Sequence, residues 1–391
     1  MTAPQQSPNS GTRGCVPLKV AHLCAGNLYG GVETFLESFV RYEKLAGLES
    51  RFLVGWEGRQ SERLRALGAK VDFVGGARLT RPWQVIQVRR RVRALLSQCR
   101  PDVVVVHSGW TQAVMGPGAV TAGIPMVLWV HNEIPPRSLL HQFARRVKPS
   151  DWIANSHFTA ETIAAWYPSA VPEVIYYPVP APEPVSVRSG SRELMRIGLG
   201  ATAETFVILQ ASRLEDWKGH RHLLKALSAL KTRTDWVWWI AGGVQRPEEE
   251  QYKSELIREA SAAGIADRIR WLGHRNDLPL LLDACDVYAQ INTTPEPLGL
   301  VFVEAMHAGR PVICANSGGI GEIVDDSFGR RVTPGDSGAL TRTLEAWMND
   351  RSEPRRLGAR GPECARRLFD PEVQMRAIGT KLRKVVEAVS R

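Results

Sequence analysis

Short β-branched runs alternate with helix-patterned stretches along almost the whole chain, and that alternation limits the fold more than any other feature. In the front half, "LKVAHLC" (18–24), "PDVVVVHSG" (101–109), "PMVLWVH" (125–131) and "DWIANS" (151–156) read as buried strands. Each is short, rich in Val, Ile or Leu, and followed by a turn or helix signal. Helix-spaced segments such as "VETFLESFVRYEKL" and "PWQVIQVRRRVRALLSQC" lie between them. Such alternation builds a parallel sheet covered on both faces, a doubly wound α/β domain.

The pattern breaks once. In "YYPVPAPEPVSVRSGS" (176–191), Pro178, Pro180, Pro182 and Pro184 offer no backbone donor and favour extended chain, so the stretch reads as a linker. The alternation then resumes with "FVILQAS" (206–212), "WVWWIAGG" (236–243), "RIRWLG" (268–273), "CDVYAQI" (285–291) and "RPVICAN" (310–316). The 391 residues therefore predict two tandem Rossmann-like domains facing across a cleft, over 17–178 and 205–370. A tail over 1–16, a linker over 179–204 and a last helix over 371–391 complete the division. No internal sequence repeat relates the halves. Ligands in such sheets sit at the carboxyl ends of the strands, which points to the cleft.

Composition narrows the function classes. Hydrophobic residues make up 44% of the chain, enough for substantial cores. No apolar run approaches the ~20 residues of a membrane helix. The polar start "MTAPQQSPNSGTRG" has no apolar core segment and reads as a tail, not a signal peptide. The six cysteines never form C-x-x-C, which argues against a zinc cluster or a disulfide framework and fits a reducing cytoplasm. Residues 1–180 carry 20 Lys and Arg against 12 Asp and Glu, net +8, whereas 181–391 carry 30 against 28, net +2. A basic front half suits nucleic acid, anionic lipid or a phosphorylated substrate. With no zinc-finger spacing and no aromatic-basic RNA-binding run, nucleic acid is not the expected partner.

The chemistry concentrates in "TPEPLGLVFVEAMHAGRPVICANSGG" (294–319), where Glu296 and Glu304 interrupt an apolar run. Pro297 biases Glu296 into a loop. From about Leu298 to Ala308 the chain reads as a helix with Gly299 near its start, where free amides of Gly299 and Leu300 suit phosphate. Glu304 falls among Val301, Phe302, Val303, Ala305 and Met306, and a buried carboxylate needs a partner such as a diol. The plain alternative is a glutamate on the wet side of an ordinary helix. A glycosidase pair fits less well: eight helical residues span ~12 Å, against ~5–9.5 Å between hydrolase carboxyls.

Arg213 and Lys218 in "SRLEDWKGH" flank a strand-to-helix junction, where two cations suit a diphosphate; taken alone, the motif reads rather as two solvated surface cations, the usual fate of Lys and Arg. Gly30 and Gly31 follow the first strand without G-x-G-x-x-G spacing, so they mark either close ligand approach or a simple turn. His131 stands at a predicted strand end, as a structural histidine or a site residue. The helix-spaced segments 83–99 and 137–148 are basic on their outer faces; they read as surface helices or as contacts to an anionic membrane.

Together these motifs resemble the family 4 retaining glycosyltransferases of GT-B fold, over nearly the whole chain after the tail. The resemblance rests on the E-x7-E run "EPLGLVFVEAMHAGRPVI" followed by "SGGIGEIV", the R-x4-KG pattern at Arg213–Gly219, the Gly30–Gly31 loop and "ANSHFTAETI" (154–163). Pro297–Leu298 departs from the Gly or Ser then Phe that members often carry. The resemblance implies a UDP- or GDP-linked sugar donor, a hydroxyl acceptor (a lipid-linked saccharide, a polysaccharide intermediate or a small metabolite), and a peripheral, cytoplasmic enzyme of polysaccharide, glycolipid or glycoconjugate synthesis. It assigns Arg213, Lys218 and amides near Leu298, Gly299 and Leu300 to the diphosphate, and Glu304 to the ribose. Glu296 and His131 fall to the transferred sugar, with Gly31 closing from the front domain. Neither a metal nor another cofactor is expected. A sugar-nucleotide epimerase of the same fold and a non-catalytic sugar-nucleotide binder are the two rivals.

Overall fold

The computed structural model describes residues 16–26, 30–135, 138–182 and 191–390. The tail before residue 16 and part of the proline-rich stretch lie outside the described residues. Two parallel sheets result. The first comprises β1 (Leu18–Cys24), β2 (Leu48–Val54), β3 (Lys70–Phe73), β4 (Val103–Val106), β5 (Met126–Val130), β6 (Asp151–Ala154) and β7 (Glu173–Val174). Its order is β3-β2-β1-β4-β5-β6-β7. The second comprises β8 (Phe206–Ala211), β9 (Trp236–Ala241), β10 (Ile269–Gly273), β11 (Val287–Gln290), β12 (Val312–Ala315) and β13 (Gly329–Val332), in the order β10-β9-β8-β11-β12-β13. Each sheet reverses direction beside its first strand, between β1 and β4 and between β8 and β11. At such a switch point the flanking connections leave on opposite faces and a crevice opens at the strand ends.

The strands read from sequence all form. β2, β3, β7 and β13 were not expected. β2 and β3 lie toward one edge and carry paired charges, with Arg51 Nε 2.5 Å from Asp72 Oδ2. Such charges suit an edge and mask the apolar signal. Val103–Val106, buried on both faces, shows the opposite case.

The proline-rich reading extended the linker to residue 204, but the structure forms a helix over Ser191–Gly198. Its Arg196 is buried and donates to the carbonyls of Ala284 and Thr202 and to Asp286, which also meets Arg192. That helix is thereby fastened to the second sheet's domain. The proline signal ends at Pro184, and the amphipathic pattern beyond it is too short to register against it.

One apolar cluster runs through both halves, from Phe35 and Leu36 through Tyr177 and Val179 to Val303 and Met306. The last helix, Pro371–Ser390, adds Met375, Ile378 and Leu382 to that cluster. Its Lys381 Nζ lies 2.7 Å from Asp151 Oδ2, and Arg383 donates to the carbonyl of Ala46 at 2.5 Å, so the chain's end is tied to the first domain.

Candidate active site

Strand ends position every candidate residue. Gly30 and Gly31 follow β1, His131 follows β5, Arg213 and Lys218 follow β8, and Glu296 through Leu300 follow β11. Glu304 lies on the helix Leu300–His307. All of them, with Leu298 and Gly299, line one cleft of about 350 Å³ between the sheets.

Two glycines build the second domain's side. Gly219 has φ +76°, and a Cβ there would stand 1.6 Å from the carbonyl oxygen of Ile291. Only glycine lets this turn close onto the end of β11, which brings Lys218 to Glu296. Their Nζ and Oε2 are 2.6 Å apart, with both side chains nearly buried. The same oxygen accepts from Asn292 Nδ2 at 2.8 Å and from Gln290 Nε2 at 3.4 Å. Gln290 is backed by the Tyr288 hydroxyl at 2.7 Å. A buried charge pair needs such further hydrogen bonds to hold. The Lys218 ammonium also lies 3.8 Å from the centre of the Trp217 ring.

Gly299 has φ +78° and precedes the helix start; a Cβ there would meet the Phe302 ring at 2.5 Å. The first amides of a helix have no intrahelical partner, so Leu300 and Val301 turn unpaired N–H groups toward the cleft end of the helix. Gly318 and Gly319 press on the loop behind, with the Gly319 amide donating to the Glu296 carbonyl at 2.8 Å. Arg213 pairs with Glu215 at 2.9 Å. Across the cleft, Gly31 faces Leu300, whose Cδ1 lies 3.8 Å from where a Gly31 Cβ would be.

The Glu304 carboxyl meets no donor among the described residues, and its enclosure pushes its pKa up to about 7. Glu33, which the sequence reading passed over, accepts from the Gly30 amide at 2.8 Å. Burial raises its pKa, opposed by its own and the Gly30 amides and by Arg213 from the other domain. His131 has both ring nitrogens engaged: Nδ1 stands 2.6 Å from the Tyr177 hydroxyl and Nε2 2.9 Å from His107 Nδ1. Burial, then the neighbouring imidazoles, holds it well below the usual histidine range.

Further contacts bridge the domains. Arg59 Nη1 lies 2.9 Å from His274 Nε2, and the Glu322 carboxylate accepts the amides of His157 (2.9 Å) and Phe158 (2.5 Å), capping the helix His157–Trp166. Among the described residues, no cluster of His, Cys, Asp and Glu has metal-binding proximity, and no helix is long and apolar enough to cross a membrane.

Residues 29–181 match the family model described as Glycosyltransferase Family 4, and residues 191–363 match that of Glycosyl transferases group 1. The chain is 29% identical over 262 residues to a D-inositol 3-phosphate glycosyltransferase of Saccharomonospora viridis, covering 65% of this chain and 57% of that one. It thus spans about half the length of several curated relatives that it matches. A GDP-mannose-dependent α-(1-6)-phosphatidylinositol monomannoside mannosyltransferase of Mycobacterium tuberculosis is 27% identical over 365 residues, covering 85% of this chain and 89% of that one. The crystal structure of Anabaena HepE in complex with UDP and glucose superposes with a TM-score of 0.82 at 25% identity, covering 94% of this chain and all (100%) of that one. These relatives lend no support to the epimerase or the non-catalytic rival. The cleft between two parallel sheets, the matched families and the shared architecture agree: this chain belongs to the family 4 glycosyltransferases of GT-B fold.

Proposed function

We propose that this chain transfers a sugar, with retention of configuration, from a nucleoside-diphosphate sugar to an acceptor hydroxyl. One observation carries the reading. Lys218, Arg213 and the helix start at Gly299–Leu300 converge from the second domain on the space opposite Gly31. Cations and unpaired amides aimed at one volume suit a diphosphate, and suit it most as its charge grows on departure.

Each residue then has a task. Arg213, Lys218 and the Leu300 and Val301 amides stabilise the departing diphosphate while Gly30 and Gly31 close over it. Glu296, fixed by Lys218, Asn292 and Gln290, accepts hydroxyls of the transferred sugar. Glu304 accepts the ribose diol, and His131 walls the sugar on the first domain's side. The acceptor attacks from the face that the leaving group vacates: the anomeric carbon loses its bond to phosphate oxygen and gains one to the acceptor oxygen. The acceptor's proton passes to a phosphate oxygen, so no side chain need become a covalent nucleophile.

Of the relatives named above, one is GDP-mannose-dependent and one holds UDP, and a uridine or guanosine donor is the expectation here. The acceptor is a lipid-linked saccharide or a related hydroxyl compound. Peripheral contact with an anionic membrane from the cytoplasmic side fits that acceptor. Leu79, Trp83 and Ile86 are exposed at the start of the helix Pro82–Cys99, and Leu139 and Phe143 on the helix Leu139–Ala144. Both helices begin at the carboxyl edge of the first sheet, and Arg81, Arg90 and Arg93 make no ion pair among the described residues.

A thermal-shift screen of UDP- and GDP-sugars tests the reading. A donor at 100 times its Kd adds about 2.7 kcal/mol of stability. Transfer by the wild-type chain and its loss in Lys218→Ala complete the test; no stabilisation by any nucleotide sugar refutes the proposal.

A further inference from the structure

Three buried histidines form one unbroken hydrogen-bonded line through the first domain. His131 Nε2 stands 2.9 Å from His107 Nδ1, and His107 Nε2 stands 2.9 Å from His22 Nδ1. His22 Nε2 then lies 3.3 Å from Ser50 Oγ. The rings stack in sequence, with centroids 5.1 and 5.2 Å apart. Phe35, Phe39 and Phe52 pack around them. None of the three is more than 6% exposed. At the cleft end His131 Nδ1 meets the Tyr177 hydroxyl at 2.6 Å. At the far end the Ser50 amide donates to the Glu43 carboxylate at 3.0 Å.

The cleft end fixes the direction of every proton. Asn155 Nδ2 donates to the His131 carbonyl at 3.1 Å, which sets the orientation of the amide group, and donates also to the Tyr177 oxygen at 3.0 Å. An amide nitrogen accepts nothing, so the Tyr177 hydrogen goes to its other neighbour, His131 Nδ1. A neutral His131 then carries its proton on Nε2 and gives it to His107 Nδ1. His107 gives its Nε2–H to His22, and His22 gives its own to Ser50. The line therefore has one polarity, from Tyr177 toward Ser50.

We propose that His22 and His107 are positioning residues for the transfer site: they lock His131 in the Nε2–H tautomer, both nitrogens turned into the protein. The inference rests on the reading of the cleft as a glycosyl-transfer site. It assigns His131 a task different in kind from hydrogen bonding to the donor. The ring is a fixed wall against which the sugar is placed, and the end of β5 is held with it through Asn155. A chain of neutral rings with one polarity admits no local flip, because reversing one proton sets two donors or two acceptors face to face at its neighbours. Rigidity at the cleft is thereby supplied from Ser50, on the far side of two other strands.

The test uses the full chain labelled with ¹⁵N in histidine, and the variants His107→Phe, His107→Gln and Ser50→Ala. Two-bond ¹H–¹⁵N spectra at pH 7.5 separate the two neutral tautomers without any need for turnover. Signals of His22, His107 and His131, assigned by single substitution, are expected to show protonated Nε2 and bare Nδ1 only. His107→Phe keeps the stacked ring but cuts the line. It is expected to mix the His131 tautomers and lower kcat about tenfold or more, since small misplacements remote from the reacting atoms have effects of that size, with donor KM within about twofold. His107→Gln restores a donor and an acceptor and should recover most of kcat. Ser50→Ala, a small change far from the cleft, covers the case in which the phenylalanine variant does not fold; it should broaden or mix the His131 tautomer and lower kcat several-fold. Protonated Nδ1 on His131 in the wild-type chain overturns the proposal. So does an unaltered kcat in folded His107→Phe and Ser50→Ala. A wild-type chain with the expected spectrum that turns over no nucleotide sugar would instead overturn the transfer reading.

Discussion

Replacing Glu304 with glutamine should make the free protein more stable and the donor complex weaker. In the fold, enclosure without a hydrogen-bond donor raises the carboxyl from 4.5 to about 7. Between those values the native state holds a proton that the unfolded chain has lost, so stability falls as pH rises through that window. At about 1.4 kcal/mol for each pH unit, the loss amounts to about 3 kcal/mol by pH 8. Glu304→Gln removes it, so urea midpoints of variant and wild type should agree near pH 4.5 and diverge, variant higher, toward pH 8. Donor binding should move oppositely. An ionised carboxylate accepts from both hydroxyls of a ribose diol at once, which a protonated one does not, so wild-type affinity should be roughly tenfold weaker at pH 6 than at pH 8. A nucleotide sugar carries no phosphate that titrates in that range, so the slope belongs to the protein. Calorimetry near pH 6 in buffers of different ionisation enthalpy should show close to one proton released on binding. The glutamine variant should bind weakly and without slope, because hydrogen bonds to a charged acceptor contribute about 1.5–3 kcal/mol each. A variant less stable than wild type at pH 8, or one that binds donor as tightly, would refute the reasoning.

Other outcomes follow from the same geometry. Lys218→Ala and Arg213→Ala should each lower kcat/KM by a factor of about 100 or more, the scale of a lost donor to developing charge; near-normal transfer rates would remove the leaving-group role. Gly219→Ala should destabilise the second domain by at least about 2 kcal/mol, because its backbone is left-handed and the Ile291 carbonyl occupies the Cβ position; a wild-type denaturation midpoint would contradict that. For the membrane contact, flotation with anionic vesicles at low salt should carry the chain upward, and Trp83→Ser with Ile86→Ser should leave it at the bottom. Neutral vesicles that bind equally well would show that the arginines play no part.

The sequence exposes those parts of this molecule whose physics is local. A buried central strand needs an unbroken apolar run, so Val103–Val106 and Trp236–Ala241 stand out, whereas β3 pairs its Lys70 and Asp72 with β2 at an edge and does not. Glycine in a left-handed turn announces a close approach, and Gly219 and Gly299 deliver one at each end of the proposed diphosphate cradle. The sequence reading passed over the amides that hold Glu296: Gln290 ends β11 and Asn292 follows it, and a polar pair at the end of an apolar strand needs a charged or hydrogen-bonding partner. Their partner was not readable, because it depends on how β11 closes against the turn at Lys218.

The histidine line shows where sequence reading stops. Each member stands in or just after a predicted strand, and one strand histidine alone reads as a satisfied core residue. Their meaning comes from strand order: β4 pairs with β1 across about eighty residues of chain, with Val105 beside His22 and Val106 beside Leu23. That register, and the pairing of Val106 with Leu128 on β5, sets three imidazoles from distant segments into one row. Shifting any one strand by a single residue would turn its histidine to the opposite face of the sheet and break the row. The alternation of strands and helices makes a cleft of this kind foreseeable, but the register decides which side chains hold its wall still.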